Sequence, residues 1–186
     1  MNTLTHLTPL AELAGSYAID PAHSRLGFVA RHAMVTKVRG SFDEFSGTAS
    51  TQPGLADAAI AVTIQTASVD TRQGDRDAHL RGGDFFDVEA YPTMTFVSTA
   101  VTAVDDEVLR VTGDLTIKEQ TRAVTIDFAY AGSATDPFGN HRIGFDGSTT
   151  ISRKDFGLTW NAALETGGVL VSDKITLEFE ISAIKA

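Results

Sequence analysis

A charged segment from Asp75 to Asp87 holds the side chains best suited to recognise a polar group. Arg76 and His79 are three residues apart, so on a helix they share one face and can point at the same target. We therefore name Arg76 and His79 as candidates for contact with the polar end of a ligand. The other charges of the segment fit a solvent-exposed helix face with local ion pairs.

Metal, nucleophile and phosphate chemistry find little support in the sequence. Asp75, Asp77 and His79 have the side chains of metal ligands, but their spacing better fits the acidic first turn of a short helix. The absence of cysteine excludes disulfides and thiolate catalysis. No G-x-S-x-G motif is present, and the glycine pairs at 82–83 and 167–168 read as turns. We predict no catalytic residue, no metal and no cofactor.

The elements that must position this segment are β-strands. Apolar and polar residues alternate with a period of two before and after the stretch 68–96, and again through the C-terminal half of the chain. The stretch 68–96 is therefore a short helical insertion between two strands. About eight or nine antiparallel strands are predicted, and a closed barrel is favoured over a sandwich because closure removes exposed edges.

Large apolar residues on these strands and on the insertion define a candidate ligand-binding lining. An eight-stranded barrel is either filled by its side chains or holds one small ligand, and both alternatives stay open here. Small residues in the same strands, such as Ala30, Ala58 and Gly147, favour a tunnel that takes an apolar chain. The predicted lining consists of Phe28, Phe42, Phe45, Ile64, Leu80, Phe85, Phe86, Met94, Phe96, Phe128, Phe145, Trp160 and Phe179.

Length, charge and the N-terminal sequence indicate which classes of partner are disfavoured and where in the cell the protein is expected. The length of 186 residues suits one domain, and the net charge of −9 disfavours binding to nucleic acid or to an anionic membrane surface. No apolar stretch is long enough to span a bilayer. Residues 1–14 are expected to be a short flexible leader without the features of a secretory signal, which predicts a cytoplasmic protein. Residues 15–186 are expected to form the barrel domain.

Several motifs, taken together and in order, resemble a known family. They are YAIDPAHS at 17–24, VRGSFDEFSG at 38–47, RDAHLRGGDFFDVEAYPTMTF at 76–96, GDLTIK at 113–118, RIGF at 142–145 and SRKDFGL at 152–158. The sequence resembles the YceI-like family of lipid-binding or polyisoprenoid-binding bacterial proteins. The resemblance implies an extended, lipocalin-like, eight-stranded antiparallel barrel with a long apolar tunnel, and homodimers in some members. The sequence KEQT at 118–121 departs from the family because it lacks a glycine.

Three functions follow from the residues and the resemblance. The first is a binding protein that holds a long-chain amphiphilic isoprenoid or fatty lipid, such as a polyisoprenoid or an isoprenoid quinone, for storage, transport or sequestration. The second is an enzyme that acts on such a lipid with His79 or His23 as general acid or base. The third is a stress-related module whose partner is another protein. We favour the first.

Overall fold

The described part of the chain contains eleven strands, one α-helix and five short 3-10 helices. The computed structural model describes residues 8–186. The elements are β1 (Gly15–Ile19), β2 (Arg25–His32), β3 (Thr36–Phe42), β4 (Phe45–Gln52), β5 (Ala56–Gln65), β6 (Val69–Asp70), α1 (Gly74–Arg81), β7 (Thr93–Ala103), β8 (Val108–Ile117), β9 (Gln120–Thr135), β10 (His141–Ser152) and β11 (Lys174–Lys185).

The strands close into an eight-stranded antiparallel barrel, as predicted. The order is β1-β4-β5-β7-β8-β9-β10-β11, and β1 pairs with β11 to complete the ring. β2 pairs with both β11 and β3, so β1 with β2 and β3 with β4 each act as one bent strand of the wall. The bend between β3 and β4 lies between Phe42 and Phe45, where the sequence pattern changes phase.

The alternation of side chains explains why these segments become barrel strands. In β8, Leu109, Val111, Leu115 and Ile117 are buried, while Arg110 and Asp114 between them are exposed. Successive side chains of a strand point to opposite faces, so one face supplies the core and the other meets water. The β8–β9 hairpin forms without glycine, because Lys118 takes up the positive φ of 56° that the tight turn requires.

The predicted helical insertion lies between β5 and β7, and we call it the cap. It contains β6, which pairs with β3, and helix α1. Gln73 caps the helix by accepting a hydrogen bond from the backbone N–H of Arg76 at 2.6 Å. In residues 8–186, no helix has both the length and the apolar character required to traverse a bilayer.

Residues 8–14 differ from the flexible leader that the sequence suggested, whereas residues 1–7 lie outside the described part. Leu10 is only 1% exposed and Leu13 only 3%, and both pack into the core cluster at one end of the barrel. The backbone N–H of Thr8 donates to Ser133 Oγ at 2.9 Å, and Tyr130 Oη donates to the Thr8 carbonyl at 2.7 Å. Two leucines on a single short turn bury enough apolar surface to hold this segment as a plug.

The plug predicts a stability effect. Leu10→Ala removes a fully buried side chain, and we expect it to lower the free energy of unfolding by about 2 to 4 kcal/mol, because it combines lost burial with a cavity. Urea denaturation followed by circular dichroism measures the change. The control is Ala11→Ser on the exposed side of the same turn, which should change stability by less than about 0.5 kcal/mol. Equal stability of the two variants would show that the plug is not packed.

Candidate functional site

An apolar cavity of about 310 Å³ lies inside the barrel. Its lining reaches Leu13 and Leu55 at the plug and Leu80, Phe85 and Phe86 at the cap, so it runs between the two ends. Apolar atoms form almost all of its surface. The volume lies at the lower end of the range typical for ligand sites. The side chains therefore line the interior of the barrel without filling it.

Glycines on the inner face of the wall explain how large rings leave this space open. A Cβ built on Gly147 would lie 2.6 Å from Cδ1 of Phe128, and one on Gly113 would lie 2.5 Å from Cζ of Phe96. Gly40 is likewise covered by the ring of Phe28. Each ring occupies the place of a neighbouring side chain and lies along the wall. Glycine is needed at these positions because each aromatic ring lies too close to the glycine backbone to leave room for a side chain.

Eleven of the thirteen predicted lining residues border this cavity. They are Phe28, Phe42, Ile64, Leu80, Phe85, Phe86, Met94, Phe96, Phe128, Phe145 and Phe179. Phe45 is buried, at 8% exposure, but does not contribute to the lining, and Trp160 lies outside it. Contact of the eleven residues with a ligand stays a prediction.

Aliphatic residues form much of the lining, and the aromatic-centred prediction missed them. Examples are Val111, Ile126, Ile143 and Leu177, which lie on the inner face of four different strands. The signal that identifies them is the same period-two alternation that predicted the strands. Choosing every inward position, rather than the largest side chains, would have found them.

The cap is built in two layers, with Phe85 on the inside. The ring of Phe85 borders the cavity, and on its other side it meets Trp160 at 5.4 Å and His79 at 5.1 Å between centroids. His79 Nε2 lies 2.9 Å from Asp84 Oδ2, and the His79 side chain is 43% exposed. His79 and Trp160 therefore form an outer layer that separates Phe85 from water.

Arg76 also lies outside the lining, since its guanidinium anchors the helix. Its Nε donates to Thr71 Oγ1 at 2.7 Å and its Nη2 to the Thr71 carbonyl at 2.8 Å. The buried carboxylate of Asp77 accepts from the backbone N–H and the hydroxyl of Thr71. Arg76 and His79 both lie on α1, but neither borders the cavity, and their contact with the polar end of a ligand stays a prediction.

Arg153 is a buried cation at the cap end that sequence reasoning missed. It borders the cavity and is only 3% exposed. Its guanidinium donates to four backbone carbonyls, those of Leu158 at 2.6 Å, Trp160 at 2.9 Å, Ser172 at 2.9 Å and Val171 at 3.3 Å. Burial lowers the pKa of Arg153, and nearby Asp173 partly offsets this effect. The side chain ties both ends of the loop between β10 and β11 together.

A second charge cluster lies on the barrel wall near the plug. Arg142 Nη1 donates to Asp20 Oδ2 at 2.7 Å, and its Nε donates to Asp136 Oδ2 at 2.8 Å. The Arg142 hydrogen bond, followed by that of Asn140, holds the pKa of Asp136 well below its usual range. Arg142, followed by His23, lowers the pKa of Asp20 in the same way. Arg142 on β10 thereby joins the β1–β2 link to the β9–β10 turn.

This cluster predicts a pH dependence of stability. The two folded-state carboxyl pKa values lie below the unfolded value of about 3.9, so the cluster stabilises the fold above about pH 4. That contribution is lost as the pH falls through the folded-state values. Arg142→Met should therefore be less stable than the parent at neutral pH, and the difference should shrink below about pH 4. Urea titrations across this range measure it.

The matched control for the pH experiment is Arg122→Met. Arg122 is exposed on β9, and its side chain bonds only the Thr121 carbonyl among the described residues. We expect the stability of this variant to follow that of the parent at every pH. A difference between Arg142→Met and the parent that stays constant down to pH 2 would contradict the assignment.

No cluster of three or more His, Cys, Asp or Glu side chains suited to a metal occurs within residues 8–186. The two histidines considered for catalysis, His23 and His79, each bond one carboxylate and lie away from the cavity lining. The described residues form an apolar internal cavity with a layered cap, which suits binding of an apolar group.

Comparison with known proteins identifies the family. The model of the YceI-like domain matches residues 17–183. A UPF0312 protein of Vibrio cholerae is 37% identical over 153 residues, 81% of each chain. The crystal structure of Burkholderia cenocepacia BcnA has a TM-score of 0.77 at 28% identity, covering 88% of this chain and 98% of that one. A polyisoprenoid-binding domain from Saccharophagus degradans shares the fold, with a TM-score of 0.71 at 18% identity, covering 91% and 98%. The chain therefore belongs to the YceI-like family.

Proposed function

We propose that this protein binds a long-chain amphiphilic isoprenoid, a polyisoprenoid or an isoprenoid quinone, with its tail inside the barrel, for storage, transport or sequestration. The observation that carries the proposal is the apolar cavity that runs from the plug to the cap. Each buried methylene contributes about 0.8 kcal/mol, so a long chain gains affinity without any specific polar contact. The name of the Saccharophagus degradans domain, which describes polyisoprenoid binding, supports the same class of ligand.

The geometry of the wall favours a flexible chain over a compact ligand. The rings of Phe28, Phe96 and Phe128 lie along the wall against glycines, which leaves an elongated space rather than a round one. The two core clusters share Phe96 and Phe128 as packing partners, so these rings sit midway along it. A branched apolar chain can follow such a path and contact the rings at several points.

We place the polar end of the lipid at the cap. We keep Arg76 and His79 as candidate contacts for a polar end that extends outward past Phe85. His79 packs against Phe85, and Arg76 lies on the same helix with its guanidinium bonded to Thr71. The apolar character of the lining supports this placement, since a polar group held deep inside the barrel would lack hydrogen-bond partners.

Mass spectrometry of an organic-solvent extract tests the proposal. Protein purified without detergent is expected to carry a long-chain isoprenoid, and lipid-stripped protein is expected to take up an added polyprenol or isoprenoid quinone. An unbranched fatty acid serves as the comparison ligand. Extracts that repeatedly contain no long-chain lipid, together with no uptake of any added one, would overturn the proposal.

The enzyme alternative receives no support from the geometry, because neither His79 nor His23 reaches the cavity. A His79→Ala variant that binds lipid normally but loses conversion of it would favour that alternative. The cytoplasmic location and the homodimer stay predictions. Cell fractionation and sedimentation velocity, respectively, would test them.

A further inference from the structure

The turn between β2 and β3 presents unusually exposed apolar side chains. Met34 is 62% exposed and Val35 is 75% exposed. The Sδ of Met34 lies against Gly168, and the next residue of that loop, Val169, is 41% exposed. We call Met34, Val35 and Val169 the apolar tip. Three neighbouring apolar side chains left in water at one point indicate a contact surface.

A row of cations lies directly beside the apolar tip. Arg31 pairs with Lys37 across the β2–β3 ladder, and Arg39 is two residues further along β3. Lys174 is on the neighbouring strand, between Thr176, which pairs with Val29, and Ser172, whose backbone N–H donates to the Arg31 carbonyl at 3.1 Å. Lys174 therefore lies near Arg31. We call Arg31, Lys37, Arg39 and Lys174 the basic band. All four face outward, since the alternating neighbours Phe28 and Ala30 line the cavity.

The basic band is not neutralised by the protein itself. All four residues are exposed, and none belongs to an ion pair formed within residues 8–186. The acidic residues of β11, Glu178 and Glu180, lie further from the turn. Although the chain has a net charge of −9, it therefore carries a local positive surface that has no ion-pair partner among residues 8–186. Such a surface attracts an anionic partner.

The surface is continuous with the cap end of the cavity. Ala30 and Val171 both border the cavity. Val171 forms a bridge with His32, and the backbone N–H of Ala33 donates to the Leu170 carbonyl at 2.8 Å. The apolar tip is therefore adjacent to the part of the cavity lining formed by Ala30 and Val171.

We propose that the apolar tip and the basic band dock the barrel onto a bilayer that contains anionic phospholipids, with the tip inserted at the headgroup level. Apolar side chains flanked by cations are the combination that binds such interfaces. The inference rests on the proposed function, because a lipid carrier must exchange its ligand with a membrane. A second copy of this chain is disfavoured as occupant, since a two-fold contact here would bring the basic band against itself.

Vesicle flotation tests the docking surface. The protein is expected to float with vesicles of phosphatidylglycerol and phosphatidylcholine at low salt and to float much less at high salt. It is expected not to bind vesicles of pure phosphatidylcholine. The double variant Lys37→Glu/Lys174→Glu should bind anionic vesicles about tenfold more weakly or worse. Met34→Ser/Val35→Ser should also lose binding.

Matched controls come from the opposite end of the barrel. Lys185 is exposed at the other end of β11, and Phe138 is 90% exposed in the β9–β10 turn. Lys185→Glu and Phe138→Ser should bind vesicles as the parent does. Equal losses in control and test variants would overturn the proposal, as would parent protein that does not distinguish the two kinds of vesicle. A concentration-dependent dimer that Val35→Ser abolishes, with no vesicle binding, would assign the surface to self-association instead.

Lipid uptake separates this inference from the proposed function. The docking variants should take up polyprenol presented in detergent as the parent does, since none of their substitutions lies in the cavity. Parent protein that retains isoprenoid but ignores anionic vesicles overturns the docking surface alone. Parent protein that docks but never holds isoprenoid overturns the proposed function alone.

Discussion

The Phe128→Asp variant is expected to lose uptake of isoprenoid lipid altogether. The ring of Phe128 lies midway along the cavity, with its centroid 6.4 Å from that of Phe145 and 6.0 Å from that of Phe179. A carboxylate at this point faces apolar atoms, and an unpaired charge there costs several kcal/mol or forces water into the path of the chain. Uptake of a polyprenol by stripped protein, measured by mass spectrometry, gives the readout.

The control for this variant is the next residue of the same strand. Ala129 is exposed on the outer face of β9, so Ala129→Asp adds the same charge without reaching the cavity and should leave uptake unchanged. Gly147→Ala provides an independent variant without added charge, because its Cβ would displace the Phe128 ring from the wall into the cavity and reduce uptake. Parent-like uptake by folded Phe128→Asp would contradict the assigned path.

The Arg153→Met variant is expected to lose about 3 to 5 kcal/mol of unfolding free energy. The substitution removes a buried guanidinium and the donor that it supplies to the carbonyls of Leu158, Trp160 and Ser172, while the Val171 carbonyl still accepts from Asn161 Nδ2 at 2.8 Å. The loop between β10 and β11 should also exchange its amide hydrogens faster. Urea denaturation measures the first effect and hydrogen–deuterium exchange the second.

Two further variants test the role of Arg153 specifically. Arg153→Lys should not restore stability, because a single ammonium group cannot reach four carbonyls spread across the loop. Lys154→Met changes the adjacent, exposed cation and should stay within about 0.5 kcal/mol of the parent. Full stability in Arg153→Lys would show that charge alone, rather than the guanidinium fork, holds the loop.

The fold was largely predictable from the sequence because alternation along a strand is a local property. The period-two pattern predicted the strands, and the need to remove exposed edges predicted that they close into a barrel. Residues 8–14 were predicted to be flexible, because Leu10 and Leu13 lie on one short turn and show no periodicity. Their burial depends on the barrel end that receives them.

The site was less predictable, because the assembled barrel decides which side chains point into the cavity and which groups each side chain can reach. The sequence named Arg76 as a ligand contact, but Thr71 takes up its guanidinium. Arg153 belongs to the motif SRKDFGL at 152–158, but its structural role was not predictable, because its four acceptors lie up to 19 residues away along the chain. Hydrogen-bond partners of this kind become neighbours only when the loop folds back.

The sequence by itself determined the strands, the helical cap between β5 and β7, and the apolar face that borders the cavity, since these follow from the order of residue types along each segment. The tertiary structure determined how the charged side chains are distributed over the surface. Net charge argued against an anionic membrane, yet strand pairing places Arg31 opposite Lys37, with Lys174 on the neighbouring strand, and creates a local positive surface. Electrostatic attraction depends on distances in space, which strand pairing sets and composition does not record.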